Sequence, residues 1–150
     1  MMPVVFNGRE RSMGNITRFQ DIAAWQQARG LTKAIYGLTS EGAWAKDFGL
    51  RDQIRRASVL IMSNIAEGFD RQSDAEFRRF LAIAKGSAAE VWSHLYVALD
   101  LSYISDERFR DTERAIDAVS RMIGSFMSYL RSGTRRGREA GAGPDDSPTR

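Results

Sequence analysis

Cysteine is absent from this 150-residue chain, and histidine occurs once, at His94. The first absence excludes disulfides, thiolate nucleophiles, iron–sulfur clusters and cysteine zinc sites. The second excludes a two-histidine metal site within one chain. Proline is missing between Phe19 and Arg131, since Pro3, Pro144 and Pro148 all lie outside that span. No run approaches the roughly 18 uninterrupted apolar residues of a membrane span, and no charged start followed by an apolar run marks a secretory signal. A Walker-type loop, a dinucleotide fingerprint, a Gly-x-Ser-x-Gly elbow and a His-Glu-x-x-His pair are missing too. The expectation is a protein with no catalytic role, no metal and no cofactor.

What is present is one domain's length with an ordinary globular composition, 43% hydrophobic and 27% charged. The net charge of +3 sits at the ends, because residues 19–131 hold 15 basic and 15 acidic side chains. A balanced body supports nucleic-acid binding only where its positive charges gather on one face. Residues 1–18 have no sustained period, and Met13 is a candidate start beside Met1. Residues 132–150 combine four glycines, two prolines and no apolar residue larger than Ala. Both ends are expected to be disordered extensions of a bundle over residues 19–131.

That proline-free body shows helical periodicity four times over. The first helix is expected from about Phe19 to Thr39, with Ala24, Trp25, Ala28, Leu31, Ile35 and Leu38 inward. The second, from about Phe48 to Phe69, carries Leu50, Ile54, Ala57, Ile61, Ile65 and Gly68. Ser73 and Glu76 form a capping box for a third, reaching about Leu101 with Phe77, Phe80, Ala84, Ala88, Val91, Leu95 and Ala98 inward. Ser105 or Asp106 caps a fourth, whose stripe is Phe109, Ile116, Val119, Ile123, Phe126 and Leu130. Short connections make these an all-α, antiparallel up-down four-helix bundle. Val59, Met62 and Ala66 on the second helix, with Ile83 and Val97 on the third, form second apolar faces that point to self-association.

Several polar groups admit two readings. Arg51 and Arg55 share a stripe on the second helix. Arg78 and Lys85 share one on the third, while Arg79 points about 100° away. Repeated by symmetry, such residues would bind phosphates with little sequence preference and strong salt dependence. Alternatively they are spent in helix-surface pairs, Asp52–Arg56, Asp74–Arg78 and Glu67–Arg71, worth a few tenths of a kcal/mol each. Asn64, Glu67, Ser87 and Glu90 lie near facing stripes. They read first as an internal polar network fixing register, and only remotely as a hydrolase pair of Glu67 and Glu90. Gly86 costs its helix about 1 kcal/mol against Ala, which suggests close approach of a neighbouring backbone or a bend. His94, four residues after Glu90, has no nucleophile placed beside it. Trp92 and Tyr96 share the stripe of Arg78 and Lys85, where they could stack bases or pack in an interface.

Five blocks in order resemble a known family. They are Phe19-Gln20-Asp21-Ile22-Ala23-Ala24-Trp25-Gln26, Gly49-Leu50-Arg51-Asp52-Gln53-Ile54-Arg55-Arg56-Ala57, Ser63-Asn64-Ile65-Ala66-Glu67-Gly68-Phe69, Glu76-Phe77-Arg78-Arg79-Phe80-Leu81 and Ile83-Ala84-Lys85-Gly86-Ser87-Ala88-Ala89-Glu90. The resemblance is to four-helix-bundle proteins encoded in intervening sequences of bacterial 23S rRNA genes, and to the related accessory variability proteins of diversity-generating retroelements. It implies a homopentameric, barrel-like ring. For the retroelement members it also implies binding of RNA and of a reverse transcriptase. The expectation is therefore a non-enzymatic RNA- or DNA-binding accessory protein of the bacterial cytoplasm, working as a homo-oligomer. Its contacts are expected from Arg51, Arg55, Arg78 and Lys85, with Arg56 and Arg79 beside them. The rival expectation is an oligomeric protein–protein scaffold that binds no nucleic acid.

Overall fold

Three of the helix starts are set by a side-chain oxygen that accepts a backbone N–H of the first turn. Asp47 Oδ1 accepts from Leu50, Ser73 Oγ from Glu76 and Ser105 Oγ from Arg108, each at 3.2 Å. Such caps satisfy donors that a helix cannot satisfy itself, and each contributes about 0.5–2 kcal/mol. The computed structural model describes residues 16–140. Among them are four α-helices, α1 (Ala23–Leu38), α2 (Phe48–Phe69), α3 (Asp74–Asp100) and α4 (Asp106–Ala140), with 3-10 turns at Phe19–Asp21 and Trp44–Lys46 and no strand.

The helices close a square: α1 packs on α2 and α4, and α3 on α2 and α4. Cross-contacts fix the antiparallel register. Thr32 Oγ1 on α1 donates to the Ser58 carbonyl on α2 at 3.2 Å. Phe77 on α3 meets Phe126 on α4 edge-on at 5.0 Å. Near the other end of the square, Arg108 of α4 pairs with Glu41, just beyond α1, at 2.9 Å. The antiparallel four-helix bundle expected from the sequence is the fold observed. No helix among the described residues is long and apolar enough to cross a membrane.

Periodicity placed most of the core correctly. Ile54, Ile61 and Ile65 of α2, Val91 and Leu95 of α3, and Ile116 and Ile123 of α4 are fully buried. Each such side chain contributes about 1.5–3 kcal/mol over an exposed position. Gly68 lies where α3 crosses closest, for a Cβ there would stand 2.7 Å from both the Phe77 ring and Phe80 Cβ.

Three details differ from the sequence reading. Phe19–Asp21 is a 3-10 turn rather than the first turn of α1, and Ile22 is extended (φ −74°, ψ 120°) with its side chain buried. No capping residue precedes Ala23, so burial of Ile22 outweighs one more turn of helix. On α3, Leu81 is fully buried while Phe80 stays half-exposed, covering Gly68 from its rim. Gly86 faces open space, where an added Cβ would meet nothing within 4 Å, so no backbone among the described residues of other elements approaches it.

The second apolar faces are real surface: Val59, Ile83 and Val97 are exposed, joined by Leu60, while Met62 and Ala66 are half-buried. The backbone of α4 continues past the expected end of the bundle at Arg131 to Ala140, in keeping with the helix-forming Arg, Glu and Ala found there. The disorder expected of residues 1–18 and 132–150 falls largely on residues 1–15 and 141–150, which lie outside the described residues.

Candidate nucleic-acid interface

The segment joining α1 to α2 positions the first two candidate arginines. Trp44 is fully buried in it and stacks on Tyr103, with ring centroids 6.3 Å apart. The Tyr103 hydroxyl donates to Asp47 Oδ2 at 3.0 Å, while the other oxygen of that carboxylate caps α2. One aspartate thus locks the start and the rotation of α2 together, with Arg55 turned toward the end of α1 and Arg51 toward the connection.

Arg55 is held there by neutral groups. Its Nε donates to Thr39 Oγ1 at 2.8 Å, its Nη2 donates to Ser40 Oγ at 3.1 Å, and its guanidinium lies 4.6 Å from the Tyr36 ring centroid. Hydroxyls and a ring fix the fork without cancelling its charge. Arg51 lies 4.6 Å over the Phe48 ring and donates to the Ala45 carbonyl at 3.1 Å and to Asp52 at 3.0 Å. Both rings remain in solvent, Tyr36 at 42% and Phe48 at 63% exposure. Thr39, Ser40, Tyr36 and Phe48 were not foreseen as site residues. Tyr36 and Phe48 lie off the core stripes, and that was the only available signal.

The other basic candidates lie elsewhere. Lys85 reaches across to α4, where a Cβ on Gly124 would stand 3.5 Å from its Nζ. Arg78, on the same side of α3, is half-buried with its Nε enclosed and unpartnered among the described residues. Trp92 and Tyr96 continue that stripe and both donate to Glu113 Oε2 of α4, at 2.8 and 3.1 Å. In a square bundle the α1–α2 and α3–α4 seams are opposite, so the six basic residues do not share one patch within a chain. Arg56 and Arg79 are exposed and have no ion-pair partner among the described residues.

Of the three ion pairs weighed against this reading, only Glu67–Arg71 forms, at 2.8 Å. Asp52 turns to Arg51 instead of Arg56, and Asp74 does not reach Arg78. The four residues considered as a polar network are not linked within the chain. Asn64 is buried and donates to the Leu60 carbonyl of its own helix at 2.8 Å. Glu67 is taken by Arg71, Ser87 is buried, and Glu90 is exposed. His94 is half-buried, its Nδ1 enclosed without a partner among the described residues.

The charge balance of the body conceals an asymmetry along the chain. Residues 23–63 carry six basic and three acidic side chains, whereas residues 64–131 carry nine basic and eleven acidic. The excess lies on α1, which has Arg29 and Lys33 and no carboxylate, and on the first two-thirds of α2, which has three arginines against Asp52, while the connection holds Lys46 against Glu41 and Asp47. A surface of this kind attracts polyanions, and its fixed forks fit phosphate oxygens.

The described residues thus define an all-α, antiparallel four-helix bundle with arginines gathered at the α1–α2 seam. The sequence profile described as 23S rRNA-intervening sequence protein matches residues 20–125, and the chain belongs to that family. A protein of unknown function from the S23 ribosomal protein family of Bacteroides thetaiotaomicron VPI-5482 has a similar crystal structure. Its TM-score is 0.64 at 23% identity, covering 69% of this chain and 97% of that one. That likeness concerns the fold. No curated protein matches the sequence.

Proposed function

We propose that this member of the family is a non-enzymatic nucleic-acid-binding accessory protein that works as a homo-oligomer. The observation that carries the proposal is Arg55, fixed by Thr39, Ser40 and Tyr36 with its charge intact. Its partners are two hydroxyls and a ring, so no carboxylate among the described residues neutralises the guanidinium. Arg51 extends the site by one turn, and Arg56 adds charge to the same half of α2. Lys85 and Arg78, on the opposite seam, join a shared surface only if a neighbouring copy brings the two seams together. The exposed Val59, Leu60, Ile83 and Val97 support such assembly. The resemblance implies a homopentamer and, for the retroelement members, a reverse-transcriptase partner, and the binding proposed here requires neither.

The test is a salt titration of a labelled single-stranded RNA against the full chain, with the oligomeric mass recorded by light scattering in the same buffer. Binding should weaken steeply with salt. Arg51→Ala/Arg55→Ala should lower the slope of log affinity against log salt by about 1.4, or 0.7 for each phosphate contact on a single strand. An intact oligomer that binds no RNA at low salt overturns the proposal and leaves the protein–protein scaffold. A slope unchanged by the double substitution moves the site off α2.

A further inference from the structure

We infer that the α1–α2 face binds a single strand, with Tyr36 and Phe48 as base-stacking platforms between cations that hold its phosphates. This rests on the proposed nucleic-acid function and assigns that function a substrate class and two further residues. Three cation–aromatic pairs run along the face. Arg29 lies 5.9 Å from the Trp25 ring, Arg55 4.6 Å from Tyr36, and Arg51 4.6 Å from Phe48. Counting along α1 to Thr39, across to Arg55 and along α2 to Phe48, the row is about 30 Å long at 1.5 Å per residue. Lys33 lies in the same stretch of α1 and has no ion-pair partner among the described residues.

Three observations select this ligand. Charge complementarity comes first, because the face is built from residues 23–63, the stretch of the body with twice as many basic as acidic side chains. Pre-organisation comes second. The guanidinium of Arg55 is already immobilised by two hydroxyls, so little side-chain freedom is lost when it grips a phosphate. Third, Tyr36 and Phe48 each have an arginine on the ring and much of the residue still in water, at 42% and 63% exposure. A base can stack on such a ring whatever its identity, but only where it is not already stacked and paired in a duplex. The arrangement therefore favours single strands over double strands and does not read sequence. Trp92 and Tyr96 are unsuited to this task, since Glu113 holds both of their polar ends in the α3–α4 seam.

The experiment uses the full chain, a fluorescein-labelled 12-residue oligouridylate and a hairpin RNA with a duplex stem. Tyr36→Leu and Phe48→Leu should each weaken oligouridylate binding roughly 5- to 150-fold, the range for losing one base–aromatic stack. The salt slope should stay unchanged, because no phosphate contact is removed. Arg51→Gln/Arg55→Gln should do the opposite and flatten the slope. Photo-crosslinking of the unsubstituted chain to a 4-thiouridine-containing strand should label the peptides holding Tyr36 and Phe48. Wild-type affinity in both leucine variants, equal affinity for the duplex, or crosslinks confined to α3 and α4 would overturn the assignment while leaving nucleic-acid binding in place. Loss of oligomeric mass in the leucine variants would also overturn it, by giving the two rings to a contact between copies. Failure of the unsubstituted chain to bind any RNA would remove both this inference and the function on which it rests.

Discussion

Glu113 on α4 accepts the indole N–H of Trp92 on α3 at 2.8 Å, and the same oxygen accepts the hydroxyl of Tyr96 at 3.1 Å. One carboxylate therefore ties two aromatic side chains of the neighbouring helix, and Tyr96 completes the seam by packing edge-on against Phe109 at 4.9 Å. Glu113→Ala leaves a half-buried N–H without its acceptor and should destabilise the bundle by about 1–3 kcal/mol. Glu113→Gln keeps an acceptor oxygen and should lose less. Urea unfolding followed by tryptophan fluorescence measures both. Equal stability of the alanine variant and the parent would mean that water replaces the carboxylate at no cost.

The same hydrogen bond makes stability depend on pH at the alkaline end. Tyr96 is raised above the ordinary tyrosine value first by its bond to Glu113, then by the charge of that carboxylate, then by burial. Tyr103 is raised by its bond to Asp47, by burial and by the charge of Asp47. In both cases the fold favours the protonated phenol, so the stabilisation is complete below the unfolded value of about 10. It is lost as pH rises from there through the folded values, because the unfolded chain releases its protons first. Spectrophotometric titration should show Tyr96 and Tyr103 ionising late, and unfolding midpoints should fall above about pH 10. Tyr96→Phe and Tyr103→Phe should each remove part of that dependence. A midpoint equally steep in the double variant would assign it to other groups.

Ser102 sits in the left-handed region, at φ 59°, immediately after α3. The Tyr103 N–H reaches back to the Ala98 carbonyl at 2.9 Å, and the Ser102 N–H to that of Leu99, also at 2.9 Å. This is the Schellman ending, in which glycine usually occupies the left-handed position. A residue with a Cβ costs about 1–2 kcal/mol there, partly repaid because glycine has more freedom to lose on folding. Ser102→Gly should therefore raise stability by about 0.5–1 kcal/mol, read as an upward shift of the thermal midpoint. A lower midpoint would show that the serine side chain contributes more than its backbone strain costs.

How far the sequence carried these conclusions depended on whether the governing contact was local. The α2 stripe from Leu50 to Gly68 was legible because every step is three or four residues and the cap and packing agree with it. On α3 the choice between Phe80 and Leu81 was not, since both fit the period and the decision belongs to Gly68 on another helix. Ile22 and Trp44 were missed for a related reason. Each is buried by segments distant in sequence, and neither has a periodic neighbour. In the candidate site, the shared stripe of Arg51 and Arg55 followed from their spacing of four. Their anchors did not, for Thr39 and Ser40 lie 16 and 15 residues away across a connection. The stripe of Arg78, Lys85, Trp92 and Tyr96 was also read correctly as a stripe. That it faces α4 is decided by Glu113.

Two glycines in adjacent helices should respond in opposite directions to the same substitution. At Gly68 an alanine Cβ would lie 2.7 Å from the Phe77 ring and from Phe80 Cβ, and the latter is close to the backbone and cannot swing away. Gly68→Ala should separate α2 from α3 and cost about 1–3 kcal/mol, as overpacking does. At Gly86 the same Cβ meets nothing within 4 Å, so the protomer should gain about 1 kcal/mol from better helix propensity. Thermal unfolding at low protein concentration reads both effects. Light scattering at high concentration adds a second reading for Gly86, because a copy packed closely over that helix would be pushed off by the new methyl group. A Gly86→Ala protein that is more stable and equally assembled would place the contact between copies away from the middle of α3, leaving the exposed Val97 near its end as the α3 contribution to the interface.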